Sequence, residues 1–260
     1  MMSETKMHIK KKRSWLILCG VASFFMVAVA TAPASLFSVF LGGDRQVAFA
    51  DVSGTIWNGS IEGLSAAGVP LGDVTFKLSP FSLLTLSPRV ALSAQDGAIL
   101  GRGIVSVEHG NRLSLSDVNM RIDLGATAPS GVLGQPAQGT AEITIDRLRF
   151  SQKNGCGLAQ GTIFTDVLNA PAQRYDLPEL PLAGSLTCDG NTLVIAMTGE
   201  NNRAETQMTV RILPNLTYEV TAVARSDEDD VSSALKFFGF EDQNGELTYG
   251  AAGVFKGTGT

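Results

Sequence analysis

The sequence predicts a mainly β protein, in which a single N-terminal transmembrane helix is followed by a curved, largely antiparallel β-sheet domain with few short helices. Three observations lead there. Residues 15–32 (WLILCGVASFFMVAVATA) carry no charge over eighteen positions and follow the basic run Lys10, Lys11, Lys12, Arg13. Only 17% of the chain is charged and 28 of its 260 residues are glycine, a composition that suits strands joined by tight turns. Beyond the apolar run, short stretches alternate apolar and polar residues between Gly, Asn and Asp turn signals.

A helix rises about 1.5 Å per residue, so the apolar run spans about 27 Å, close to the roughly 30 Å hydrocarbon core of a bilayer. Pro33 supplies a stop, because proline lacks the N–H donor and clashes with the preceding turn. The flank holds Lys6, Lys10, Lys11, Lys12 and Arg13 against Glu4, which makes residues 1–14 a basic cytoplasmic tail and 15–33 the spanning helix. A cleaved leader is the competing reading. Its small-x-small sites are Ala30-Thr31-Ala32, followed directly by Pro33, and Ala48-Phe49-Ala50, which Asp44 and Arg45 separate from the apolar run. These contexts favour a retained anchor.

Residues 34–50 read as a linker, in which Leu36, Phe37, Val39, Phe40 and Leu41 suit the bilayer interface. Residues 51–260 form the β-rich domain. Its opening stretch, 52–61, favours strand through Val52, Thr55, Ile56 and Trp57, with Trp57 expected in the core and Gly54 and Gly59 permitting a bend or a close backbone approach. Strands follow at 71–78, 90–94, 99–107 and 112–124, separated by a turn at 79–84, by Asp96-Gly97 and by His109-Gly110-Asn111.

Two strands slip phase once each. Leu113 and Leu115 give way to Val118, Met120 and Ile122 across Ser116-Asp117, while Ile143 and Ile145 give way to Leu148 and Phe150 across Asp146-Arg147. A single slip in a period of two is the mark of a β-bulge, and bulges bend strands, so the sheet should curve. Between them, residues 126–138 are rich in Ala, Gly and Pro and are the expected boundary between two similar halves. Further on, 184–190 and 193–197 read as a hairpin, 206–212 and 218–224 as an antiparallel pair, 231–238 as a helix and 247–255 as a closing strand.

Cys19 lies in the apolar run, which leaves Cys156 and Cys188 as the only thiols beyond it. Outside the cytoplasm disulfides form and persist, so these two are expected to pair. No metal is expected, because two cysteines need two further ligands and His109 is the only histidine past the tail. The acids Asp227, Glu228, Asp229 and Asp230 precede the 231–238 helix, where they favour its positive end. Nucleic acid is an unsuitable partner for a chain of net charge −5 with no basic cluster beyond its tail. There is no Gly-x-Ser-x-Gly, phosphate loop or dinucleotide fingerprint, and no catalytic constellation or cofactor is expected.

The basic tail, the single spanning helix, Gly54-Thr55-Ile56-Trp57-Asn58-Gly59, the pair Cys156 and Gly184-Ser185-Leu186-Thr187-Cys188-Asp189-Gly190, and the terminal Leu235-Lys236-Phe237-Phe238-Gly239 together resemble type II secretion system protein N. The resemblance marks Gly54, Trp57 and Gly59 as a family motif. It implies a bitopic bacterial inner-membrane protein with its N-terminus in the cytoplasm and its bulk in the periplasm. It further implies a non-enzymatic accessory of the secretion machinery whose partners are other inner-membrane subunits. A second function fits the same β-rich domain: lipid binding or transfer in a β-groove, which requires one apolar sheet face left open.

Overall fold

The computed structural model describes residues 20–254, apart from 22, 25, 26, 36–46, 67, 68, 86, 109–111, 128–137, 152, 175, 177, 216, 238 and 244. The basic tail at 1–14, most of the 34–50 linker, His109 and most of the 126–138 boundary therefore lie outside the described residues, as do 15–19, 22, 25 and 26 of the expected spanning helix. The described positions among 20–30 are helical. Among the described residues no helix is long and apolar enough to cross a membrane.

Fifteen strands follow: β1 (Val47–Ala48), β2 (Asp51–Thr55), β3 (Asn58–Ala66), β4 (Val69–Leu78), β5 (Arg89–Ala94), β6 (Ile99–Glu108), β7 (Arg112–Asp123), β8 (Thr140–Ser151), β9 (Gly155–Thr165), β10 (Leu182–Asp189), β11 (Thr192–Glu200), β12 (Glu205–Ile212), β13 (Thr217–Arg225), β14 (Glu241–Gln243) and β15 (Glu246–Val254). Four short helices interrupt them: α1 (Pro80–Leu84), α2 (Leu124–Thr127), α3 (Asn169–Arg174) and α4 (Asp229–Phe237). All strands join one antiparallel sheet in which nearly every strand pairs with its sequence neighbours. β1 and β2 keep the same register against β3, Val47 opposite Ala66 and Thr55 opposite Asn58, so they are one strand interrupted at Phe49 and Ala50. β7 and β8 pair from Leu113–Phe150 to Asp123–Thr140, so the sheet runs on across the 126–138 segment.

Opposite residues in an antiparallel ladder point to the same side, so the register assigns faces. Thr75, Ser93, Arg102, Asn119, Thr144, Thr162 and Ser185 oppose one another in an unbroken row on one face. The neighbouring row on the other face runs through Met120, Ile143, Ile163, Gly184, Met197, Met208, Ala222 and Tyr249. That apolar face holds both cores. One gathers Val118, Ile145, Leu148, Cys156, Ala159, Leu186 and Leu193. The other gathers Leu182, Met197, Met208, Ala222 and Ala224 with Phe240 and Leu247, and Leu235 of α4 packs against it. Leu182 is fully enclosed, and burying such a side chain contributes about 1.5–3 kcal/mol.

The two expected bulges are present and lie side by side. Asp117 has φ 51° and stands between Ser116 and Val118 opposite the single Gly103, while Asp146 is the extra residue between Ile145–Gly161 and Arg147–Gln160. β7 and β8 keep their mutual register through both, so the bend passes straight across the sheet. A groove of about 800 Å³ follows it, bordered by Lys77, Arg102, Asp117 and Asp146.

Residues 155–157 begin the long strand β9, and α3 lies in the connection from β9 to β10. In α3 Pro171 is the third residue, in the first turn, where a missing N–H costs nothing. The acids before α4 do more than meet its positive end: Glu228 forms an ion pair with Arg203, which ties the helix start to the β11–β12 turn. Cys156 at the start of β9 and Cys188 at the end of β10 form the expected disulfide across 32 positions, with Cα atoms 5.7 Å apart.

In the chain-entropy account a loop of this length is worth about 3–4 kcal/mol. Replacing both cysteines with serine in the full chain should lower unfolding stability by about that amount in a denaturant titration. At the bulge, Asp117→Val should cost about 1–3 kcal/mol because a β-branched residue strains at positive φ, whereas Asp117→Gly should leave stability unchanged or raised, as read by the melting temperature.

Candidate functional site at the helix and sheet junction

The 52–61 segment is two strands rather than one. β2 ends at Thr55 and β3 starts at Asn58, which leaves Ile56 and Trp57 as the two residues of a tight hairpin turn. Trp57 is half-buried there and does not sit in the core, since both core clusters lie farther along the sheet. Its indole N–H donates to the carbonyl oxygen of Val29 at 2.9 Å.

Val29 lies in the last turn of the N-terminal helical residues, where carbonyls lose their intrahelical partners. One turn back, the Val27 carbonyl keeps its helical bond from the Thr31 amide at 2.9 Å and accepts a second from the Thr31 hydroxyl at 2.8 Å. From there the chain joins the sheet. The Ile56 amide donates to the Ala32 carbonyl at 3.0 Å, the Ala34 amide donates to the Gly54 carbonyl at 3.0 Å, and Pro33 pairs antiparallel with Thr55. A proline is tolerated at such an outer position because no ladder amide is demanded of it. Ala34 is fully buried by this docking.

Gly54 and Gly59 make the tight hairpin possible. Gly54 has φ +90°, and a Cβ on it would stand 2.5 Å from the Asn58 carbonyl oxygen. A Cβ on Gly59 would stand 2.7 Å from the ring of Phe76. The three residues of the 54–59 motif thus act together, two by bringing strands close and Trp57 by gripping the helix end.

The other singled-out residues lie elsewhere. Cys156 and Cys188 staple β9 to β10. Leu235-Lys236-Phe237-Phe238-Gly239 closes α4: the Gly239 amide donates to the Lys236 carbonyl at 3.0 Å and the Phe240 amide to the Leu235 carbonyl at 3.1 Å. This is a Schellman cap, with Gly239 at φ +91° and Phe240 sharing a core cluster with Leu235. Among the described residues no cluster of three or more His, Cys, Asp or Glu is placed to hold a metal ion. The grip of Trp57 on Val29 joins residues 28 positions apart, and no local pattern signals such a contact.

A model of the type II secretion system protein N family matches residues 45–249. The chain belongs to that family. Membership makes it a component of the type II secretion machinery of the cell envelope. The family match takes in Gly54, Trp57, Gly59, the bridged cysteines and α4, and begins after the helix that Trp57 grips. A search of curated proteins and a search of solved structures return no match.

Gly54→Ala forces a side chain into the positive-φ region and should lower the stability of the full chain in detergent by about 1–3 kcal/mol, measured by chemical denaturation. Trp57→Phe keeps the ring and loses the donor. It should cost no more than about 1.5 kcal/mol while speeding hydrogen exchange at the Ala34 and Ile56 amides.

Proposed function

We propose that this chain is a non-enzymatic accessory subunit of the type II secretion machinery, with residues 1–14 in the cytoplasm, residues 15–33 in the inner membrane, and a periplasmic sheet that contacts other inner-membrane subunits. The helix and sheet junction carries this reading. A helix end held by Trp57 and continued as an added strand on β2 gives the sheet one fixed attitude to its anchor. The helix is apolar outward, with Phe24 71% exposed and Val21, Val27 and Val29 about half exposed, as a lipid-facing surface requires.

The sheet also offers a place for a partner. Beyond Thr248 the outer side of β15 pairs with no strand among the described residues, and its sequence there, Tyr-Gly-Ala-Ala-Gly-Val, is uncharged and mostly small. Strand addition at such an edge gains main-chain hydrogen bonds without displacing side chains. Lipid carriage has less support, because over β7 to β15 the apolar face is filled by its own side chains and by Leu235 and Phe240.

Cross-linking of the full chain in native membranes should recover inner-membrane secretion subunits, and deletion of the gene should reduce export of folded substrates. Recovery of no subunit together with normal export would overturn the reading. Native mass spectrometry should find no phospholipid bound in stoichiometric amount, and one bound lipid per chain would favour the carrier instead.

A further inference from the structure

The strand order divides the sheet into two ends, and they differ in chemistry. The helix is docked at the end that holds the β2–β3 turn. Because the strands are antiparallel and sequential, the same end holds the β4–β5 connection with α1, the end of β6 with the start of β7, and the end of β8 with the start of β9. Four of the large apolar side chains that the sheet leaves exposed collect there: Phe81 at 78%, Leu83 at 40%, and the opposed pair Val107 and Leu113 at 42% and 44%. Exposed apolar groups gathered at one rim mark a contact surface.

The rim is joined physically to the helix end. The Leu78 amide donates to the Trp57 carbonyl at 2.9 Å, two residues before α1, while the indole of Trp57 holds Val29. It is also a built structure. Ser82 is buried, its hydroxyl donates to the Ser79 carbonyl at 2.6 Å and accepts from the Arg89 amide at 3.0 Å, and the Val107 amide donates to the Pro88 carbonyl at 3.2 Å. Phe81 and Leu83 are therefore presented outward by a turn whose polar groups are satisfied.

Charge follows the same division. At the strand ends that flank these turns stand Lys77, Arg89, Arg112 and Lys153, and Glu108 there is paired with Arg149 at 3.3 Å; deeper in, at the bulges, Asp117 and Asp146 stand beside Arg147. The opposite ends of the same strands carry Asp51, Glu62, Asp73, Asp96, Asp123 and Asp166. An apolar rim ringed by cations, at the level where a tryptophan meets the end of an apolar helix, has the composition of a surface that enters a headgroup layer.

We infer that this end of the sheet is a second membrane contact, seated on the anionic phospholipid surface from which the helix emerges, with Phe81, Leu83, Val107 and Leu113 at the acyl boundary and Arg89 and Lys153 among the phosphates. The inference rests on the anchored reading above. The acidic end then faces away from the bilayer.

The test uses the full chain with Cys19→Ser in nanodiscs, carrying a nitroxide at Phe81→Cys or, as a control on the opposite end, at Asp96→Cys. In phosphatidylglycerol-containing discs the label at 81 should collide severalfold less with aqueous nickel chelate, and severalfold more with oxygen, than the label at 96. Arg89→Glu with Lys153→Glu should restore nickel access at 81 in those discs, with the melting temperature unchanged. A label at 81 as open to nickel as that at 96 would overturn the inference, as would loss of nickel collisions at 81 without the rise in oxygen collisions, which would point to a protein contact. Alkaline carbonate extraction of native membranes separates the two failures. Release of the wild-type chain defeats the anchored reading itself, whereas retention with an aqueous label at 81 defeats only the second contact.

Discussion

A single sheet that keeps nearly all its large apolar residues on one face must cover that face without a second sheet, and this constraint shapes the molecule. Among the described residues the cover comes from α4 with Phe240 and from Val167 and Leu168 of the β9–β10 connection, over the C-terminal strands. Elsewhere the side chains of neighbouring strands must shield one another, which a flat sheet does poorly and a bent one does well. The paired bulges at Asp117 and Asp146 supply the bend where the first core begins, and Val118 and Ile145, one on each bulged strand, are both buried in it. Small residues sit where strands press closest: a Cβ on Gly103 would stand 2.8 Å from the Val118 side chain. Burial of the apolar face and curvature of the backbone are thus one solution.

Much of this was legible in the sequence, because period two is a strict rule. A strand that hides one face must alternate, so a lost beat at Ser116-Asp117 and again at Asp146-Arg147 announces an extra residue before any coordinates are seen. The disulfide was legible by compartment and count. Trp57 was not. Threonine, isoleucine and tryptophan in succession look like strand interior, yet Ile56 and Trp57 turn the corner, and the cue lay in the flanking glycines rather than in the turn residues themselves. The tryptophan reads as core because large aromatics usually are, whereas here its value lies in the N–H it offers to a helix end.

Two other elements carry cues that only position resolves. Gly155-Cys156-Gly157 opens β9, where Gly157 is the extra residue that restores register to β8 after the bulge at Asp146. Pro171 is harmless in the first turn of α3. In both, the place of the residue within the element is not available from the local string. The union with the helix was out of reach for the same reason: Pro33 marks a stop, but that the chain beyond it becomes a strand against Thr55 is a long-range fact.

The bridge between Cys156 and Cys188 also bears on the order of assembly. Both sulfurs belong to β9 and β10, so the link needs nothing from β11 to β15. A chain made from its N-terminus can therefore lock ten strands before the last five exist. The tail of the sheet, including the edge left open along β15, lies outside the bridged loop, and a thiol kept reduced would leave the first ten strands without that lock.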